Sequence, residues 1–262
     1  MKQKNLRRFD ADCYVGQWPF HSCRFGTMDA LKKMHERAGI QGGMVSTVQS
    51  VFYMDPLSAE KKLHDVLLPQ YRQVFSINPL LPAAAEMVQE AVERYQIKAL
   101  RLTRCYHKFG WSDGCVRAIL EKAQEARLPV YVTLRLEDAR LEYIVQPLQE
   151  DAVQLAAAME EWPDIPIILS SIYLDEINQL RTTVLRRKNT YVDTAYFKSP
   201  TDCLERAVAS IGSERILFGS GATLGIVRSG AEMLEHSLIT DGEKDNIWWN
   251  NAARIFGLED EA

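Results

Sequence analysis

Long hydrophobic runs are missing from this sequence: no window of its 262 residues approaches the ~18 consecutive apolar positions that a membrane helix needs. The opening "MKQKNLRRF" is charged and is not followed by the apolar stretch of a secretory leader. A cytoplasmic location with no membrane partner is therefore the expectation. Basic blocks are also lacking. The densest is "LRRK" at 185–188, and 31 basic against 35 acidic residues give a net charge of −4, so no nucleic-acid partner is expected. The five cysteines form no CxxC pair, which argues for reduced thiols rather than a disulfide frame or a zinc knuckle. Neither GxGxxG nor GxxxxGK[ST] follows any strand candidate, so dinucleotide and phosphate-loop folds lose their main support. No cofactor is expected.

What is present is a core-forming composition, 47% hydrophobic and 25% charged. Short β-branched or aromatic runs recur at regular intervals: "FDADCYV" (9–15), "GMVSTV" (43–48), "QVFSIN" (73–78), "IKALRLT" (97–103), "PVYVTL" (129–134), "PIILSS" (166–171), "TYVDTA" (190–195) and "RILFGS" (215–220). Between them, apolar residues three and four apart mark helices, as in Met28, Leu31, Met34 and Ala38, or Val116, Ile119, Leu120 and Ala123. Capping residues place helix starts at Thr27, Asp113, Thr201 and Asp241. With no linker or repeat to divide it, the chain reads as one domain over 1–262. The eight strand-then-helix units predict a single (β/α)8 TIM barrel with an extra C-terminal helix.

Active sites of such barrels lie at the C-terminal ends of the strands. There the sequence offers Asp10, Asp12, Tyr14, Thr47, Gln49, Asn78, Arg101, Thr103, Arg104, Tyr106, His107, Thr133, Arg135, Glu137, Asp138, Arg140, Ser170, Ser171, Asp193, Thr194, Tyr196 and Ser220. Through "FDADCYVG", "IKALRL", "ARLPVYV", "IPIILSS", "ERILFGSG" and "NNAARIFGL", the chain resembles the amidohydrolase-related (amidohydrolase 2) family of metal-dependent barrels. The resembling branch includes aminocarboxymuconate-semialdehyde decarboxylase and pyrone-dicarboxylate lactonase. The family pattern has D-x-H-x-H on the first strand, a His at the ends of the fifth and sixth, and G-S-D at the eighth. Those ligand positions fall here on Asp12, Tyr14, Thr133, Ser171 and Gly221. The resemblance thus implies a divergent member without the metal-binding histidines, since a catalytic zinc takes about three protein ligands. A subset of the family is closer still, sharing "GQWPF" (16–20), "CYHKFGWSD" (105–113) and "LEDARLEY" (136–143).

Each candidate has a functional and a plain structural reading. His107, after the fourth strand, is a proton-transfer candidate or a loop-fixing imidazole. Arg101 is suited to clamp an anion, or to pair with a barrel carboxylate. Glu137 serves as base or belongs to a solvated charged loop, from which Arg140 is assigned to substrate. Asp12 orients water, or is a buried carboxylate partnered by Arg101 or a tyrosine; Asp193 is treated alike. Tyr14, Tyr106 and Trp18 wall the substrate pocket, and no residue is assigned to a metal. Cys105 beside His107 is too weak a pattern for a thiolate nucleophile. Two functions remain open: a metal-independent hydrolase of a small anionic lactone or cyclic carboxylate, and a non-catalytic metabolite-binding or partner subunit. A metal enzyme with rearranged ligands is a third. The resemblance further implies a homodimer.

Overall fold

The computed structural model describes residues 7–20, 22–138 and 147–258. Its strands are β1 (Phe9–Val15), β2 (Gly42–Thr47), β3 (Tyr71–Ser76), β4 (Ala99–Leu102), β5 (Val130–Thr133), β6 (Ile167–Ser170), β7 (Thr190–Asp193) and β8 (Ile216–Leu217). All eight run parallel and in sequence order, with helices between them. This is the predicted TIM barrel. Closure falls to β1 and the segment after the two-residue β8: Ala11 N donates to Phe218 O (2.7 Å), Gly221 N to Asp12 O (2.9 Å) and Thr223 N to Tyr14 O (3.2 Å). Among the described residues no helix is long and apolar enough to cross a membrane.

Strand side chains alternate between two faces with a period of two, and both faces are buried here. Outward residues such as Val45, Phe75, Leu100, Val132, Leu169 and Ile216 pack beneath the helices in one large cluster. Inward residues Ala11, Met44, Val74, Ala99, Tyr131, Ile168 and Leu217 fill the barrel floor, closed from below by Ala252, Ala253 and Leu258 of the C-terminal helical segment. Two positions further along each strand, the same face becomes polar: Ser46, Ser76, Arg101, Thr133, Ser170 and Asp193, with Gly219 after β8. On β1 a register irregularity between Asp10 and Cys13 lets Ala11 join the floor while Asp12 joins the polar layer.

Helix starts follow the capping residues with small displacements. Thr27 caps Met28–Arg37 by accepting from Ala30 N (3.2 Å). Helix Cys203–Ile211 begins after Asp202 rather than Thr201. The last helical segment begins after Thr240 rather than Asp241, because Thr240 and Glu243 form a reciprocal capping box. Asp113 precedes its helix, Gly114–Glu125, but its carboxylate accepts from Gly110 N (2.7 Å), tying the preceding turn instead.

Candidate active site at the barrel mouth

Arg101, on β4, stands at the centre of the polar layer and has no exposed surface. Its Nη2 donates to Asp12 Oδ1 (2.6 Å), and Nη1 donates to Tyr14 Oη (2.6 Å), Thr133 Oγ1 (2.6 Å) and Ser170 Oγ (3.3 Å). Nε donates to Ser46 Oγ (2.9 Å). The rings of Tyr131 and Tyr14 lie with centroids 4.5 Å and 4.7 Å from the guanidinium carbon. Burial, the largest single effect, lowers the Arg101 pKa, but the Asp12 carboxylate together with Tyr14 and Tyr131 outweighs it and the net shift is upward. The other Asp12 oxygen accepts from Ser170 Oγ (2.7 Å). Five residues from four strands thus hold one cation, and three of them (Asp12, Tyr14 and Thr133) occupy positions that the family pattern assigns to metal ligands.

Asp193 lies in the same layer, fully buried. Its Oδ1 accepts from the amides of Ser171 and Ala195 (3.1 Å each), while Oδ2 has no hydrogen-bond partner among the described residues. Burial, and then the nearby Asp12 charge, hold the Asp193 carboxyl well above the usual carboxylate range. Gly219 makes room for both acids: a Cβ there would stand 2.9 Å from the Asp193 Cβ and 3.0 Å from the Asp12 Cβ. Ser76 Oγ and Thr103 Oγ1 are also buried without partners among the described residues.

Above this layer Tyr14, Trp18, Val48, Val51 and Leu136 form an apolar plug joined by Phe52 and Tyr106. The Trp18, Phe52 and Tyr106 rings meet edge to face, with centroid distances of 5.2 Å (Trp18–Phe52), 5.3 Å (Phe52–Tyr106) and 5.9 Å (Trp18–Tyr106). The plug separates the polar layer from a rim groove of about 690 Å³ lined by Tyr106, Arg135, Glu137, Asp138, Tyr173 and Glu176. In that groove Arg135 pairs with Glu176 and stands 3.9 Å from the centre of the Tyr173 ring.

The sequence candidates therefore separate into distinct places. Asp12, Tyr14, Arg101 and Asp193 meet in the buried layer, with Tyr14 reaching the plug; Trp18 and Tyr106 are in the plug, and Tyr106 and Glu137 line the groove. His107 sits on the turn Arg104–His107 and donates from Nε2 to Val51 O (2.8 Å), leaving Nδ1 buried without a partner among the described residues. Burial lowers its pKa. Arg140 lies outside the described residues. The Cys105 thiol is pushed up to about 12 by burial, which removes it as a thiolate nucleophile. Sequence reasoning missed Ser46 as a partner of Arg101, and also the buried network on the outer side of β1. There Asp10 accepts from Ser220 N (3.0 Å), Ser220 Oγ and Asp12 N (3.1 Å), and it meets His35 Nε2 (3.0 Å). Asp10, Cys13 and His35 bring ligand-type atoms within 4.8 Å of one another. Asp10 and His35 are already engaged, and the Cys13 thiol donates to Met44 O (3.2 Å), its pKa raised by burial.

The amidohydrolase family model (Amidohydro_2) matches residues 60–258, and the chain belongs to that family. Curated proteins yield no sequence match. Similar solved structures include 5-carboxyvanillate decarboxylase from Sphingomonas paucimobilis, with 13% identity and TM-score 0.72, covering 96% of this chain and 99% of that one. Another is 2,6-dihydroxybenzoate decarboxylase from Rhizobium, with 15% identity and TM-score 0.72, covering 97% and 99%. A third is a dihydroxybenzoic acid decarboxylase from Polaromonas sp. JS666 with bound manganese and the inhibitor 2-nitroresorcinol, with 17% identity and TM-score 0.73, covering 96% and 97%. These likenesses confirm the fold.

A divalent ion of the kind bound in the last of these does not fit the donor set found here. Asp12 already carries the Arg101 guanidinium at 2.6 Å, and the same cation occupies Tyr14 and Thr133. Two more positive charges beside it would meet direct repulsion in a region of low dielectric. The Tyr14 phenol, its pKa raised by burial, is a poor anionic ligand.

Proposed function

We propose that this barrel acts without a metal ion, as a binding or partner subunit for a small anionic metabolite rather than as a hydrolase. The buried Arg101–Asp12 pair carries this reading. In a metal-dependent barrel the ion polarises the substrate or activates water. Here Arg101, the central cation among the described residues, is committed to a fixed carboxylate, and drawing it away would leave a buried charge unpaired at a cost of ~3–5 kcal/mol. The plug adds the work of parting packed aromatic rings. Support for a carboxylate ligand comes from the related barrels, which act on aromatic carboxylates, and from a rim groove whose volume of about 690 Å³ suits a small molecule. Arg135, Tyr106 and Glu137 are its polar contacts, and Arg140 follows them in sequence.

One observation favours a second reading, a metal-independent hydrolase of a lactone or cyclic carboxylate: among the described residues Asp193 presents an unpartnered oxygen, and burial raises its carboxyl above the usual carboxylate range, the direction a general acid requires. One experiment separates the two. The protein is incubated with 2,6-dihydroxybenzoate, 5-carboxyvanillate and a panel of lactones, with Mn²⁺ or with EDTA, while product formation and Tm are followed. The binding reading expects a higher Tm with a carboxylate and no turnover in either condition. Turnover that needs Mn²⁺ sinks both readings; turnover persisting in EDTA and abolished by Asp193→Asn establishes the second.

A further inference from the structure

Among fully buried side chains Arg101 is second in size only to Trp248, and its surroundings are those of a ligand site. Two aromatic faces, Tyr14 and Tyr131, stand within 4.7 Å of the guanidinium carbon, and oxygens of Asp12, Tyr14, Thr133 and Ser46 take its N–H groups. We infer that the barrel centre is a binding site for a flat, monovalent, delocalised cation, and that the Arg101 guanidinium is its resident ligand, tethered to the fold. The inference rests on the reading above that no divalent ion works here, and it specifies what the centre binds instead.

Ring faces attract weakly hydrated, delocalised cations, whereas a strongly hydrated divalent ion takes oxygen ligands and retains water. The shell also has supports other than Arg101. Asp12 Oδ2 is held by Ser170 Oγ (2.7 Å), Tyr131 Oη donates to Ala11 O (2.5 Å), and Asp12 O accepts from Gly221 N (2.9 Å). Each acceptor belongs to a different strand from the cation, so cutting the tether leaves the walls standing around a vacated, cation-shaped space.

The test is chemical rescue of Arg101→Ala with guanidinium or methylguanidinium chloride at low-millimolar concentration, read as Tm. The variant melts well below the parent, and the added cation restores most of the difference with a saturating dose response. The parent shows no such gain. Arg101→Ala/Asp12→Asn does not respond, and Mn²⁺ does not substitute for guanidinium. The inference is overturned if guanidinium restores nothing, if the double variant gains equally, or if Mn²⁺ rescues where guanidinium fails. Should Arg101→Ala not fold unaided, the yield on refolding with and without guanidinium reads the same quantity. No substrate is involved. Failed rescue therefore leaves the proposed function standing, while Mn²⁺-dependent turnover by the parent would overturn that function with the rescue unaffected.

Discussion

Glu60 shows how much one buried side chain can weigh. It lies on helix Pro56–Val66 with no exposed surface, accepting from Ser50 Oγ (2.5 Å) and Gln73 Nε2 (2.6 Å). Burial pushes its carboxyl up from 4.5 to about 7, against the lowering effect of those two hydrogen bonds. A raised carboxyl pKa means that the folded state holds the proton more tightly than the unfolded chain. The resulting stabilisation is complete below pH 4.5 and is lost as pH rises through about 7. Glu60→Gln keeps both partners and removes the titration. At about pH 8 the variant is expected to be more stable than the parent by up to roughly 3 kcal/mol, and its stability should no longer decline from about pH 5 to 8. Urea unfolding at a series of pH values checks this, and parallel pH curves for the two proteins would refute it. Nothing in the local sequence marks Glu60, since "PLSAEKKLHDV" reads as an ordinary amphipathic helix. Its burial depends on Ser50 and Gln73, which the fold brings from elsewhere. Asp12 and Tyr14 were legible, because strand alternation places them on one face whatever their partners.

At the scale of elements, the strands were legible because each apolar run is bounded by helical periodicity; the structure keeps the first as read, sets the second and third one and two residues earlier, and trims the others at their ends. The eighth is cut most, to Ile216–Leu217, as the chain turns to bring Gly219 and Ser220 beside β1. His107 shows where this legibility stops. Its position after β4 marked it for proton transfer, but the turn Arg104–His107 aims the imidazole at Val51 O, on helix Val48–Phe52 and 56 positions earlier in the chain. That contact belongs to tertiary packing. Gly219 supplies the test of how tightly the last strand is fitted. A methyl group at Gly219 meets two Cβ atoms at 2.9 Å and 3.0 Å, so Gly219→Ala must push Asp12 and Asp193 apart. Overpacking of this kind costs ~1–3 kcal/mol. The urea midpoint of Gly219→Ala should fall accordingly; an unchanged midpoint would mean that the polar layer has slack the geometry does not show.

For the molecule as a whole, the barrel is only as secure as the seam where its first and last strands meet. β8 contributes just two residues of regular pairing to β7, so closure depends on backbone bonds from β1 to residues 218–223 and on one side chain. That side chain is Asp10, which takes both the amide and the hydroxyl of Ser220 while meeting His35 from helix Met28–Arg37. It acts as a rivet through strand, seam and helix. Ser220→Ala keeps the amide bond and removes the hydroxyl, leaving Asp10 Oδ2 with His35 Nε2 alone. Loss of a hydrogen bond to a charged group costs ~1.5–3 kcal/mol. If the seam opens as a unit of its own, the loss appears locally first. Hydrogen exchange should quicken at the amides of Ala11, Gly221 and Thr223, which bond across the seam, while that of Leu100, bonded to Pro129 O on the far side, keeps the parent's rate under conditions where local opening dominates. Equal acceleration at all four amides would show instead that the barrel opens only as a whole, with Asp10 adding to global stability and not to closure.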